Sequence, residues 1–283
     1  MKQLLLLLLT LVLGSPLRAQ SLAAASIGQP PVGLVPPEPL SGWQRRADSL
    51  LAPLDKTPVT GSGGTSVLYD RVAGLASLDV FNLASSDADT SSFSHFLQAY
   101  YELRCASYAP VPALPTRADL RSTSQHYARH DTVLIAALRY RLQYIDSNAV
   151  HNNQLRWENV IPSRLFDIPN RIGSPYKDRE TAIAAALTDS LQSGTVRFYL
   201  PAALSLGNAG VALQQVTVAF GNNQPEQVLM PGQSAQVWYD SPGQKTLRYR
   251  LLYADGREFL TYSTLYVPKA ACTTCRPQSE GCC

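Results

Sequence analysis

Residues 216–223 read VTVAFGNN and residues 234–267 read SAQVWYDSPGQKTLRYRLLYADGREFLTYSTLYV. Val216, Val218 and Phe220 alternate with Thr217 and Ala219. Farther on, Leu247, Tyr249, Leu251 and Tyr253 alternate with Thr246, Arg248, Arg250 and Leu252. A period of two lets a strand press one side on a core and offer the other to water. Asp255-Gly256 falls between two such runs, where positive backbone dihedrals suit a tight hairpin turn. The stretch predicts several paired strands.

Outward from it, TVRFYL at 195–200 alternates Val196, Phe198 and Leu200 with Arg197 and Tyr199. Before it comes ETAIAAALTDSLQSG, whose alanines favour a helix. A sandwich needs a strand there, however, and 181–187 is read as one. Strands at 181–187, 195–200, 214–220, 227–230, 234–239, 245–254 and 257–267 make seven, the number of an antiparallel immunoglobulin-like β-sandwich. Tyr249, Tyr253, Tyr262, Tyr266 and Trp238 cannot all face inward. An exposed cluster of Trp238, Tyr262 and Tyr266 is therefore the expected binding patch, for sugars or peptide.

Phe220-Gly221-Asn222-Asn223, followed by Tyr239-Asp240-Ser241-Pro242-Gly243-Gln244-Lys245-Thr246-Leu247, resembles the PKD (polycystic kidney disease) domain. Val218, Ala219, Asn222 and Asn223 differ from that family's pattern in its first half. The resemblance implies a PKD-like, immunoglobulin-like sandwich over 181–267 in an exported protein, a module that acts as a spacer or binding surface beside other domains.

The chain starts Met1-Lys2, runs apolar from Leu4 to Leu13, and reaches the small residue Ala19 after Gly14, Ser15 and Pro16. A basic start, a short apolar core and a small residue at the cut describe a secretory signal peptide at 1–19. That places the protein outside the cytoplasm: extracellular, at the cell surface or periplasmic. No later stretch is apolar enough for a transmembrane segment. Cleavage would remove Lys2 and Arg18 from the 24 basic residues and none of the 21 acidic ones, so the net charge falls from +3 to +1. With Arg45-Arg46 and Arg139/Arg141 as isolated pairs, no basic stripe for nucleic acid exists.

The remaining chain divides into a Pro/Gly-rich lead-in with one short helix (20–66), a helical region (67–131), a strand and connection (132–180), the sandwich (181–267) and a Cys-rich tail (268–283). The fold class is thus α+β, a mainly helical N-terminal layer followed by the sandwich. In the lead-in, Ser41 caps a helix that buries Trp43, Leu50, Leu51 and Leu54. TGSGGTS at 60–66 is a flexible loop, because Thr60 stands where a G-x-S-x-G nucleophile elbow needs glycine. Asp87-Ala88-Asp89 starts like a calcium loop, but Ser92 and Gln98 occupy its glycine and glutamate positions. Ser92 or Ser94 caps FSHFLQAYYELRCAS, and Thr116 caps RADLRSTSQHYARH.

His126 and His130 lie four apart on one helical face, the spacing of two zinc ligands. Tyr127 stands where H-E-x-x-H carries its glutamate base, and only Asp131 or His151 offers a further ligand. TVLIAALRYRLQYID alternates Leu138, Tyr140, Leu142 and Tyr144 with Arg139, Arg141 and Gln143, as an edge strand guarded by its arginines would. From Ser147 to Lys177 a connection holds one short strand at 157–161, with Trp157 as a plug between layers. Cys272, Cys275, Cys282 and Cys283 crowd the tail and, in an exported chain, are expected as disulfides, with a zinc site as the alternative. Cys105 is then the odd thiol.

These readings favour a non-catalytic exported or surface-associated protein, with an extracellular glycan or protein as partner and no cofactor. The alternatives are a metal-dependent hydrolase using His126 and His130, and the accessory N-terminal part of a larger secreted hydrolase or adhesin.

Overall fold

The computed structural model describes residues 39–72, 90–108, 114–129, 132–159, 161–191 and 194–269. The signal-peptide segment, Asp87-Ala88-Asp89, His130, Asp131 and the cysteines at 272, 275, 282 and 283 lie outside them. In chain order the elements are α1 (Pro39–Leu51), α2 (Thr57–Thr60), a 3-10 turn at Tyr69–Arg71, β1 (Thr90–Ser91), α3 (Phe93–Ala106), α4 (Arg117–Tyr127), β2 (Thr132–Ile145), β3 (Leu155–Glu158), β4 (Arg164–Asp167), β5 (Tyr176–Ala186), β6 (Thr195–Tyr199), β7 (Ser205–Gly207), β8 (Leu213–Ala219), β9 (Gln227–Leu229), β10 (Ser234–Trp238), β11 (Gly243–Tyr253) and β12 (Glu258–Val267). The protein is α+β with strands predominating.

Two five-stranded sheets carry most of the chain. One is ordered β1-β12-β11-β8-β9; the other is ordered β10-β6-β2-β5, with β7 also paired to β2, and β3-β4 forms a separate hairpin. All seven strands read at 181–267 are present, within a few residues of their expected ends. The pairing is not purely antiparallel: β6 and β7 run parallel to β2, and β1 runs parallel to β12. The run at 181–187 is a strand despite its alanines, and it begins earlier, at Tyr176.

The largest core lies between the two sheets. Val216, Val218, Leu247, Tyr249 and Leu251 from one meet Val133, Ile135, Ala184, Val196 and Phe198 from the other. Small residues on β5 accommodate large ones opposite, and the Tyr249 hydroxyl reaches the Ala186 backbone and Ser263 Oγ, the latter at 2.9 Å. A buried hydroxyl needs such partners, because leaving it unpaired in an apolar interior costs about 1–3 kcal/mol. Leu252 and Tyr253 mark a register shift between β11 and β8, after which Ala254–Arg257 turns the chain with Gly256 at φ +78°. This is the Asp255-Gly256 hairpin expected from the sequence.

Strand β2 departs from expectation. It is a central strand, paired with β5 on one side and with β6 and β7 on the other, so a boundary at residue 180 would cut through its sheet. Its odd residues Val133, Ile135 and Ala137 face the inter-sheet core. Its even residues Leu134, Ala136, Leu138, Tyr140 and Leu142 face a second core made with α3 and α4. Both sides being covered explains the unbroken apolar run TVLIAAL, since a doubly covered strand has no wet face to alternate with.

The helical layer closes that second core. Ser92 caps α3 by accepting from His95 N at 3.2 Å, and Phe96, Ala99, Tyr100, Leu103 and Ala106 are buried beneath it. Thr116 and Asp119 form a reciprocal capping box on α4, which satisfies two otherwise free N–H groups. Helix α1 starts at Pro39, before the expected Ser41 cap. It is held by Arg71, whose guanidinium meets Asp48 at 2.9 and 3.2 Å, donates to the Ala106 and Ser107 carbonyls and stacks on Tyr108. A third core, with Leu51, Val59, Leu155, Leu165 and Tyr176, joins α1 to the β3-β4 hairpin, and Trp157 packs at its margin.

Candidate functional site

Alternation on β12 points Phe259, Thr261, Ser263, Leu265 and Val267 inward, where all are buried. Tyr262 and Tyr266 therefore lie on the opposite, outer side of the sheet, with Tyr266 half exposed. On β11 the same parity turns Arg248 and Arg250 outward, and both are exposed. The register aligns Tyr262 with Arg248 and Ala219, and Leu260 with Arg250, Thr217 and Val228. Ala219 and Thr217 are small, so the face is low between the arginines and exposed Val228. Arg248 pairs with Glu226, whereas Arg250 has no acidic partner among the described residues. Tyrosine and arginine in an apolar setting are the side chains that carry most energy in recognition surfaces.

Trp238 does not join this face. Ala235 and Val237 of β10 enter the inter-sheet core, so Trp238 points away from it on the outer side of the other sheet. The expected three-residue cluster is thus a pair of tyrosines on one sheet and a tryptophan on the other. Arg248 and Arg250, which alternate with the apolar residues of their strand, and Val228 complete the tyrosine face. Their alternation was visible; which strands lie beside them was not.

The segments at 220–223 and 239–247 meet in space. Tyr239 Oη donates to the Phe220 carbonyl at 2.9 Å, and Asn222 Nδ2 donates to the Trp238 carbonyl at 3.1 Å. Burial pushes the Tyr239 hydroxyl far above its ordinary pKa, so it stays a neutral donor. Gly221 has φ +67°, and a Cβ there would sit 2.7 Å from the Thr246 carbonyl oxygen. Only glycine fits such a close approach without displacement.

At the hairpin end of the two sheets, Arg139 is 2% exposed. Its Nε donates to Glu180 Oε1 at 2.7 Å, and Nη1 and Nη2 grip the two Asp255 oxygens at 3.0 and 2.6 Å. Tyr253 and Phe259 flank the guanidinium at 4.6 and 5.2 Å from their centroids, and Arg257 binds the other Glu180 oxygen. The arginines are therefore not edge guards: Arg139 ties β2 and β5 to the β11-β12 turn. Beside it lies a cleft of about 140 Å³, walled by Ser205–Gly207 and Ala209–Ala212. The charge that Arg139 brings to the cleft is already met by two carboxylates, so it serves packing and not anion capture.

His126 is exposed near the end of α4, with its ring edge-on to Tyr127 at 4.9 Å. Among the described residues no group of three or more His, Cys, Asp or Glu side chains could hold a metal ion. Cys105 is a free, half-buried thiol, and burial raises its pKa above the usual thiol value, which leaves it a poor nucleophile. Among the described residues no helix is long and apolar enough to cross a membrane. The sequence matches no protein-family model and no curated protein.

Proposed function

We propose that this is an exported, non-catalytic recognition or scaffolding protein built on a PKD-like, immunoglobulin-like sandwich, and that it binds an extracellular glycan or protein through the outer face of the β1-β12-β11-β8-β9 sheet. The observation that carries this reading is the row of Tyr262, Arg248 and Ala219 beside Leu260, Arg250, Thr217 and Val228. It offers stacking surface, an uncommitted guanidinium and a shallow floor on one rigid plane. Export is supported by Lys2 and the apolar run Leu4–Leu13. The PKD-like reading is supported by the bonded approach of Phe220–Asn222 to Trp238–Tyr239.

A glycan and peptide array probed with the purified protein tests the proposal. For a ligand so identified, Tyr262→Ala together with Arg250→Ala should weaken binding at least about 10-fold, equal to 1.4 kcal/mol, with an unchanged melting temperature. Trp238→Ala, on the other sheet, should leave binding intact. Affinity lost through Trp238 and kept without Tyr262 and Arg250 would refute the assignment of the face. Hydrolysis of the bound ligand would refute the non-catalytic reading.

A further inference from the structure

Besides the edge of β7, which is three residues long and borders only the middle of β2, the two sheets have four edges, and three are protected. The free side of β12 is taken by β1 at Tyr262 and Ser263 and by Ser190 at Tyr266. Strand β9 is only three residues long. Strand β5 carries Lys177, Asp178, Arg179 and Glu180 along its first half, and Ser91 Oγ reaches the Ala184 carbonyl on its second. Charge, proline and short length are the usual defences of an edge.

Strand β10, SAQVW, has none of them: no charge, no proline, no glycine, and a register with β6 unbroken from Ser234 to Trp238. Its hydrogen-bonding direction is fixed by its flanks. Tyr239 N donates to Gly194 O at 2.8 Å and Leu200 N to Gln233 O at 3.0 Å. In an antiparallel ladder residues alternate between the two sides. The odd residues 235 and 237 therefore bond to β6, and Ser234 and Gln236 turn both N–H and C=O to the open side. Both are exposed, and neither has a partner for those groups among the described residues.

We propose that β10 pairs with β10 of a second copy of this chain, antiparallel across a two-fold axis at Ala235. The choice of a second copy rests on register. About that axis Ser234 of each copy faces Gln236 of the other, so the outward-facing residues of the two copies meet in phase and each Ser234–Gln236 pair exchanges both of its N–H···O=C bonds. Ala235 meets its own copy at the non-hydrogen-bonded position, where Cα atoms come within about 4.5 Å and a methyl group fits. The Asn222 bond to the Trp238 carbonyl is left undisturbed, and no like charges are brought together. The β10-β6-β2-β5 sheets of the two copies become one continuous sheet, while the tyrosine faces remain free on both.

One strand pair buries less than the roughly 1,200 Å² of a standard interface, so the dimer should be weak and concentration-dependent. Sedimentation of the full chain from about 1 μM to about 1 mM should pass from monomer to dimer. Gln236→Pro removes an outward N–H and keeps every bond to β6; it should weaken association at least about 10-fold with the fold intact by circular dichroism. Gln236→Lys leaves the backbone unaltered and should weaken association as an edge lysine does. A monomer at the highest concentration would overturn the proposal, as would a dimer that both variants leave unchanged. A foreign extended peptide occupying this edge instead would give the first of those results.

Discussion

Arg139→Met is expected to lower the free energy of unfolding by about 3 kcal/mol, the low end of the cost of removing one partner from a buried ionic cluster. The side chain is retained in bulk, so little of this is lost volume. What remains is Glu180, 15% exposed, and Asp255, 31% exposed, with only the exposed Arg257 guanidinium reaching both. Because both carboxylates keep some contact with water, the cost falls short of the full buried-charge penalty. Adding Glu180→Met should recover a large part of the loss, since an apolar pair of similar volume replaces a cluster that no longer balances. Urea denaturation of the three proteins measures both steps; a single variant as stable as the parent would show that the latch contributes nothing.

The same latch has an acid signature. Hydrogen bonding to Arg139, followed by the Arg257 backbone N–H and both positive charges, lowers the Asp255 carboxyl from its ordinary 3.8 to about 2. A depressed folded-state value means that the stabilisation is fully present above pH 3.8 and is lost as pH falls from there toward 2. Stability measured across that window should slope more gently in Arg139→Met than in the parent.

Phe198→Ala should be costlier, at about 4 kcal/mol, because truncating a fully buried phenylalanine removes its transfer energy and leaves a cavity. Phe198 is 0% exposed and tilts against Phe220 with centroids 4.6 Å apart. It bridges the two sheets at the end opposite the Arg139 latch, where, among the described residues, no ionic cluster substitutes for lost packing. A change below about 1 kcal/mol, the range of well-tolerated core swaps, would mean that the sheets do not pack there as described.

The strands with one wet face were legible. Period-two alternation at Val216–Phe220 and Leu247–Tyr253 reports a half-buried strand directly, and Gly256 marks the turn between two of them. Strand β2 was misplaced because Arg139, Arg141 and Gln143 look like a solvated side. The carboxylates that allow Arg139 to be buried stand 41 and 116 residues away, and nothing local announces them. Ala182–Ala186 illustrates tertiary context overriding helix propensity: small side chains on β5 are what Tyr249 and the helical layer leave room for. At the candidate site, parity along β12 put Tyr262 and Tyr266 on one side. Parity cannot say which sheet a strand joins, and for that reason Trp238 was grouped with them.

Strand β2 is the spine between the helical layer and the two-sheet core. Hydrogen exchange of the native protein reads this residue by residue. Amides from Leu134 to Leu142 should exchange only through global unfolding, as slowly as those at the centre of β11. Exchange of those amides through local opening, faster by orders of magnitude than β11, would place the strand at an edge and contradict the architecture on which the proposed recognition face rests.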